Sequence, residues 1–213
     1  MRKLPDDRYK GVSYRPDIKT SRLFVAIFPP ESYMQFFKEV LRQFDKQKRN
    51  LRNIPVDQIH LTVKFIGSEV TDTSRDQILE NLQRYQGDYP KPEISLGKVQ
   101  FGFHYQADPR VIMVTVNPNK AFDNLTDVVH NNIKELGLRD TIRWKEKGNK
   151  NSHITLSRIR DKGSRSMGRD VQEIAKKLDM FMPEPFVPEY IELMESKFTK
   201  QGIVYKKLGK IKL

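Results

Sequence analysis

Two places in the chain carry a histidine followed two residues later by a threonine. These are His60 with Thr62, and His153 with Thr155, among only four histidines in the sequence. An imidazole, with an ordinary pKa near ~6.5, can take up or release a proton at neutral pH. A threonine hydroxyl can donate a hydrogen bond to a phosphoryl oxygen. Two such pairs on either side of a phosphate would therefore supply an acid, a base and two hydrogen-bond donors.

Both stretches have the residue alternation of a β-strand. Apolar side chains occupy the odd positions of 59–65, and His60, Thr62 and Lys64 occupy the even ones. Because successive strand side chains point to opposite faces, the even positions are expected on the free face of a sheet. The stretch around His153 repeats this arrangement. One histidine of this kind is commonly an ordinary surface residue, but two copies in matching register indicate a site.

The composition is that of a globular protein with an anionic partner. The chain has 213 residues, 37% of them hydrophobic, and a formal net charge of +12. A positive field of this size favours nucleic acid or a phosphorylated ligand, although a lysine-rich surface also serves solubility. The absence of cysteine excludes disulfides and thiolate metal sites, and no apolar run is long enough to span a membrane. We expect a cytoplasmic protein, with residues 1–21 forming a flexible leader.

The order of predicted elements repeats along the chain. Each half runs strand, helix, histidine strand, helix, strand, and the two histidines lie 93 positions apart. An internal duplication explains this spacing, with repeat halves at about 22–105 and 106–213. The order predicts an α+β fold: two pseudo-symmetric lobes of mainly antiparallel sheet, with outer helices around a central cleft. Residues 22–213 would then form a single bilobal domain, and one merged sheet is the alternative.

Three further residues are candidates for ligand contacts. Arg158 falls on the apolar parity of its strand, so either the strand ends or bulges there, or the guanidinium turns toward an anion in the cleft; the second is favoured. Phe65 holds the matching position in the first stretch. It would either stack on a nucleobase or fill the core, and parity favours the core. Trp144 lies in a basic loop that would either guide RNA or be solvated. No metal site is expected, because neither motif histidine has an acidic residue at ligand spacing.

These residues together resemble the 2H phosphoesterases, in particular the RNA 2′,3′-cyclic phosphodiesterase (2′-5′ RNA ligase) family. The resemblance covers residues 22–213. It is carried by the opening run 22–27, by the motifs His60–Gly67 and His153–Arg158, and by the closing segment from Ile191, which includes Tyr205. Each motif alone is modest, but together and in order they are specific.

The resemblance implies hydrolysis of a 2′,3′-cyclic phosphate at an RNA end to a 2′-phosphate, without metal or cofactor, and the reverse joining of 2′-5′ ends. His153 would activate water as the base and His60 would protonate the departing 3′ oxygen, although these roles could be exchanged. Thr62 and Thr155 would hold phosphoryl oxygens, and Arg158 would bind the phosphate. Phe65, Lys64, Trp144 and Tyr205 are candidate base or RNA contacts. A monomer is expected. The alternatives are a 2′-5′ oligonucleotide phosphodiesterase and a non-catalytic RNA-binding module.

Overall fold

Among the residues that the structure describes, the fold combines eight strands with three α-helices and two short 3-10 helices (Asp45–Gln47 and Val56–Gln58), and residues 169, 172–174 and 177–178 are also helical. This structure is a computed structural model. It describes residues 20–47, 49–103, 109–138, 152–160, 169, 172–174, 177–178, 182–199 and 202–213. The strands are β1 (Thr20–Ile27), β2 (Leu51–Asn53), β3 (Leu61–Thr71), β4 (Leu96–Phe101), β5 (Val111–Val116), β6 (His153–Ile159), β7 (Tyr190–Thr199) and β8 (Gly202–Lys212). The helices are α1 (Ser32–Gln43), α2 (Asp72–Arg84) and α3 (Lys120–Glu135).

Local sequence explains where these elements begin. The continuous apolar run Leu23–Ile27 makes β1 a strand buried on both faces. Thr71 caps α2 by accepting a hydrogen bond from the backbone N–H of Ser74, and Asn119 caps α3 in the same way. The expected leader extends too far by two residues, because Thr20 and Ser21 belong to β1 and the Ser21 hydroxyl donates to buried Glu195. Residues 1–19 lie outside the described part.

The predicted α+β class is confirmed, and the strand order shows how the two halves are arranged. Among the described residues the strands form one antiparallel sheet in the order β4-β5-β6-β3-β1-β7-β8, with β2 beside β6. Counted outward from the junction of β6 and β3, both sides of the sheet have the same order of strands. A histidine strand (β6 or β3) comes first, then the first strand of a repeat (β5 or β1), then the last strand of a repeat (β4 or β7). However, β4 of the first repeat lies beside β5 of the second, and β7 lies beside β1. The repeats therefore exchange their last strands, and the sheet is a merged one.

Two pairings join the halves, and one of them is between equivalent positions. Leu61 of β3 pairs with Ile154 of β6, and these two residues are the ones that follow the motif histidines. Ile94 and Phe186, which precede β4 and β7, form an isolated antiparallel bridge through two backbone hydrogen bonds. Equivalent residues that pair with each other lie on a pseudo-two-fold axis. This symmetry places the two His-x-Thr motifs side by side.

The helices cover one face of the sheet and leave the other to the cleft. α1 follows β1 but packs against β6, whereas α3 follows β5 and packs against β3. One continuous apolar core lies between helices and sheet and includes Phe37, Leu61, Val129 and Ile154. α1 and α3 therefore each tie their own repeat to the histidine strand of the other. Within the described residues, no helix is long and apolar enough to cross a membrane.

Both histidine strands carry a β-bulge at the same place. The pairing of β3 with β1 skips Val63, and the pairing of β6 with β5 skips Leu156, which is 93 residues further on. A bulge places an extra residue in one strand, so the alternation of faces shifts beyond it. The fifth residue after each histidine therefore returns to the cleft face, although strict alternation assigns it to the core.

Candidate active site

His60 is held at the start of β3 by a turn and by aromatic rings. Its Nδ1 lies 2.8 Å from the carbonyl oxygen of Gln58. Because a carbonyl oxygen only accepts, Nδ1 carries the proton of that bond and Nε2 remains for a ligand. The ring of Phe24 stacks on the imidazole at 4.9 Å, with Phe28 at 5.7 Å and the edge of Tyr205 at 5.1 Å. This packing fixes both the orientation and the tautomer of His60.

The surroundings of His60 disfavour its positive charge. Burial is the main cause that lowers its pKa, to about 4, and the charges of Arg158 and His153 act in the same direction. The hydrogen bond to Gln58 opposes the shift but does not cancel it. In the free protein His60 is therefore neutral near pH 7. Arg158 and His153 are thus both close enough to His60 for their charges to lower its pKa.

His153 and the two threonines complete the group. His153 begins β6 opposite Thr115, and its ring meets the ring of Phe103 edge to face at 4.9 Å. Thr62 lies opposite Ala26 and Thr155 lies opposite Met113, and both threonines are half-buried on the cleft face. Antiparallel pairing through the Leu61 junction turns the motifs toward each other, with His60 on the side of Thr155. The arrangement presents two imidazoles and two hydroxyls to the same space.

Arg158 lies on the cleft face of β6, as predicted. The bulge at Leu156 brings it there, and its side chain is exposed. It lines a crevice next to His60 with Gln58 and Tyr205, together with Arg52 from β2. The sequence left two alternatives for Arg158, and both are true: the strand bulges, and the guanidinium faces the cleft.

The expectation that Phe65 fills the core is wrong. Phe65 pairs with Phe24 and joins a small cleft-side cluster with Phe24, Met194 and Tyr205. The guanidinium of Arg22 lies over its ring, 4.4 Å from the centroid. The bulge at Val63 is the physical reason, because it shifts the alternation before Phe65 is reached.

The same bulge moves Lys64 in the opposite direction. Lys64 was expected on the free face, but it pairs with core residue Val25 and is only 5% exposed. It lies near His130 of α3, whose pKa is lowered by burial and then by the charge of Lys64. Lys64 therefore does not reach the cleft. Trp144, the remaining candidate, lies outside the described residues.

Sequence reasoning missed the wall around His60 and the strand β2. Neither the positions of Phe24 and Phe28 beside His60 nor the strand Leu51–Asn53 was predicted from the sequence. The spacing of apolar residues did contain a signal for the bulges, since a step of two is followed by a step of three from Val63 to Ile66. In the described part of the chain, no three acidic or histidine side chains cluster as metal ligands would.

Comparison with known proteins places this geometry in a family. The family model described as the 2′-5′ RNA ligase superfamily matches residues 25–197. An RNA 2′,3′-cyclic phosphodiesterase of Archaeoglobus fulgidus is 25% identical over 187 residues, which cover 88% of this chain and 97% of that protein. Among solved structures, TT0787 of Thermus thermophilus superposes with a TM-score of 0.71 at 23% identity, covering 90% of this chain and 97% of that one. LigT of E. coli, complexed with 3′-AMP, has a TM-score of 0.63 at 18% identity, covering 92% and 99%.

Proposed function

Because this chain belongs to the 2′-5′ RNA ligase superfamily of 2H phosphoesterases, we propose that it hydrolyses RNA 2′,3′-cyclic phosphate ends to 2′-phosphates. His60 and His153 are the proposed acid and base, and attack on the cyclic phosphate by a 5′ hydroxyl in place of water, with the 3′ oxygen leaving, would join two RNA ends through a 2′-5′ linkage. The observation that carries the proposal is the pairing of Leu61 with Ile154, which brings both His-x-Thr motifs to one space. The name of the Archaeoglobus relative supports the choice of substrate.

The cyclic phosphate would lie between the two histidines. Thr62 and Thr155 would donate hydrogen bonds to its non-bridging oxygens, and Arg158 would face the negative charge that increases as the phosphorus becomes five-coordinate. Both hydroxyls are partly accessible from the cleft, and Arg158 is close enough to affect the pKa of His60. The site thus offers the phosphate two neutral donors and one full positive charge.

The chemistry requires one proton to be removed and one to be supplied. His153 accepts a proton from water, whose oxygen forms a bond to phosphorus. The bond from phosphorus to the 3′ oxygen breaks, and His60 gives its Nε2 proton to that oxygen. The products are a 2′-phosphate and a free 3′ hydroxyl. In the reverse direction the same two histidines exchange roles.

The acid role requires His60 to hold a second proton. Its pKa of about 4 leaves it neutral in the free protein at pH 7. A bound phosphodiester carries a negative charge next to the ring, which opposes the effect of Arg158 and raises that pKa. We infer that His60 becomes the acid only when substrate is bound. The proton is then delivered where the leaving oxygen needs it.

The test is product analysis with a short RNA that ends in a 2′,3′-cyclic phosphate, in the presence of a chelator. Wild type should release a 2′-phosphate, identified by ³¹P NMR, and His60→Ala and His153→Ala should each lose roughly 10²- to 10⁴-fold in rate. Asn131→Ala, on the exposed side of α3, is the control and should keep the wild-type rate. An intact cyclic end with RNA still bound would overturn the proposal in favour of a binding module. If the protein cleaves only 2′-5′ linked oligonucleotides, these are its substrate and the cyclic phosphate end is not.

A further inference from the structure

Two arginines stand opposite each other on neighbouring strands beside the active site. In the pairing of β2 with β6, Arg52 stands directly opposite Arg158, between the pairs Leu51 with Ile159 and Asn53 with Ser157. Directly opposed residues of an antiparallel pair project from the same face. Leu51 and Ile159 are both buried in the core, so the two arginines project together into the cleft.

This placement is electrostatically unfavourable without an anion. Like charges directly opposite each other destabilise a strand pair. None of the ion pairs between described residues involves Arg52 or Arg158. β2 is only three residues long, and Arg52 is its central residue. A strand that aligns two guanidiniums in this way is suited to bind negative charge from outside the protein.

The crevice next to these arginines gives the direction of the ligand. It is lined by Arg52 and Arg158 together with Ile203 and Tyr205 of β8. Along β6 the order is His153, Thr155 and then Arg158, so Arg158 and the opposing Arg52 lie further from His153 than Thr155 does. A nucleic acid whose 3′ end reaches His153 would have its preceding phosphate on the Arg52 side.

We propose that Arg52 binds the phosphodiester on the 5′ side of the terminal nucleotide and thereby makes the site selective for an RNA end over a cyclic mononucleotide. The proposal rests on the proposed function and specifies its substrate. Arg158 would contact the reacting cyclic phosphate, while Arg52 would contact the next phosphate along the chain. Arg52 is in this account a specificity residue and takes no part in the chemistry.

The test compares three substrates. They are uridine 2′,3′-cyclic phosphate, the dinucleotide ApU with the same cyclic end, and that dinucleotide with an uncharged methylphosphonate as its internal linkage. Arg52→Gln should raise KM for the charged dinucleotide roughly 10-fold, as expected for the loss of a hydrogen bond to a charged group. It should change kcat/KM for the other two substrates less than ~2-fold, because neither carries the second charge. Arg49→Gln, which removes an exposed charge from the turn before β2, should leave all three unchanged.

Two results would overturn the proposal. An equal loss on all three substrates would place Arg52 at the reacting phosphate or in a purely structural role, and no loss on any would remove it from the site. If wild type hydrolyses none of them, the proposed function fails by itself. The arginine proposal is then decided by calorimetric binding of ApU 3′-phosphate and its methylphosphonate form, since Arg52→Gln must weaken only the charged one.

Discussion

The half of the site around His60 and the half around His153 share a backbone but differ in their side chains. Each histidine lies at the start of a bulged strand, and the two strands meet at equivalent residues. His60 lies among three aromatic rings, whereas the ring of His153 meets the edge of Phe103. Five residues after His60 stands Phe65, and five after His153 stands Arg158. A repeated backbone supplies the positions, and the divergent side chains make the two histidines chemically unequal.

The largest expected difference between the halves is in the leaving-group step. If His60 is the acid, a cyclic substrate with sulfur in place of the 3′ oxygen should rescue His60→Ala, because a thiolate leaves without protonation. We expect that variant to lose roughly 10²- to 10⁴-fold on the oxygen substrate and to lie within ~10-fold of wild type on the sulfur substrate. His153→Ala should be slow on both. Rescue of His153→Ala alone would exchange the two roles, and rescue of neither would contradict them.

The second difference concerns stability against pH. The pKa of His60 is about 4 in the folded protein and ~6.5 when unfolded, so the unfolded chain binds more protons between these values. Its neutral form therefore stabilises the fold above about pH 6.5, and this contribution is lost as the pH falls toward 4, by about 3 kcal/mol at most. Urea unfolding of wild type and of His60→Gln between pH 7 and 4 measures this contribution. The difference in free energy of unfolding between the two proteins should shrink as the pH falls. A constant difference would show that His60 does not titrate in this way.

The third comparison uses the matching positions after the two bulges. Arg158→Gln should reduce kcat/KM on the cyclic end by roughly 10-fold or more, since it removes a charged hydrogen-bond donor from the phosphate. It should also raise the pKa of His60, because the positive charge of Arg158 lowers it. Phe65→Leu, at the same offset in the other strand, should leave that pKa nearly unchanged. If both substitutions change the pKa of His60 equally, positions 65 and 158 do not differ in the way proposed.

The smallest effect tests the aromatic wall. Phe28→Ala exposes one side of His60 and should raise its pKa from about 4 toward ~6.5, by about one unit, as measured by histidine NMR titration. Phe103→Ala, beside His153, is the matched substitution in the other half and should leave the His60 titration in place. A His60 titration that does not respond to Phe28→Ala would mean that another group excludes water from the ring.

The sequence predicted what depends on residue type and period. Alternation identified both histidine strands, the spacing indicated a duplication, and the class of fold followed from the element order. The side of the sheet that Phe65 and Lys64 occupy was predicted wrongly, because one extra residue in a strand reverses the faces beyond it. The exchange of β4 and β7 was not predicted either, since strand pairing depends on contacts between residues distant in sequence.

β2 marks the other limit of prediction. Three residues with one apolar side chain have no measurable period, so Leu51–Asn53 gave no strand signal. Only its pairing with β6 defines it and brings Arg52 to the cleft. Arg52, whose position depends on the pairing of β2 with β6, was therefore found only in the structure. The two repeated His-x-Thr motifs were found in the sequence.

The most direct test of the central claim, that both histidines act on one phosphate in one transition state, is the rate of the double variant His60→Ala/His153→Ala with the cyclic-phosphate RNA. Residues that act as a unit have strongly non-additive effects. The account predicts that the double variant is within ~10-fold of the slower single variant. Losses that multiply in full would contradict it, because they would mean that His60 and His153 contribute independently.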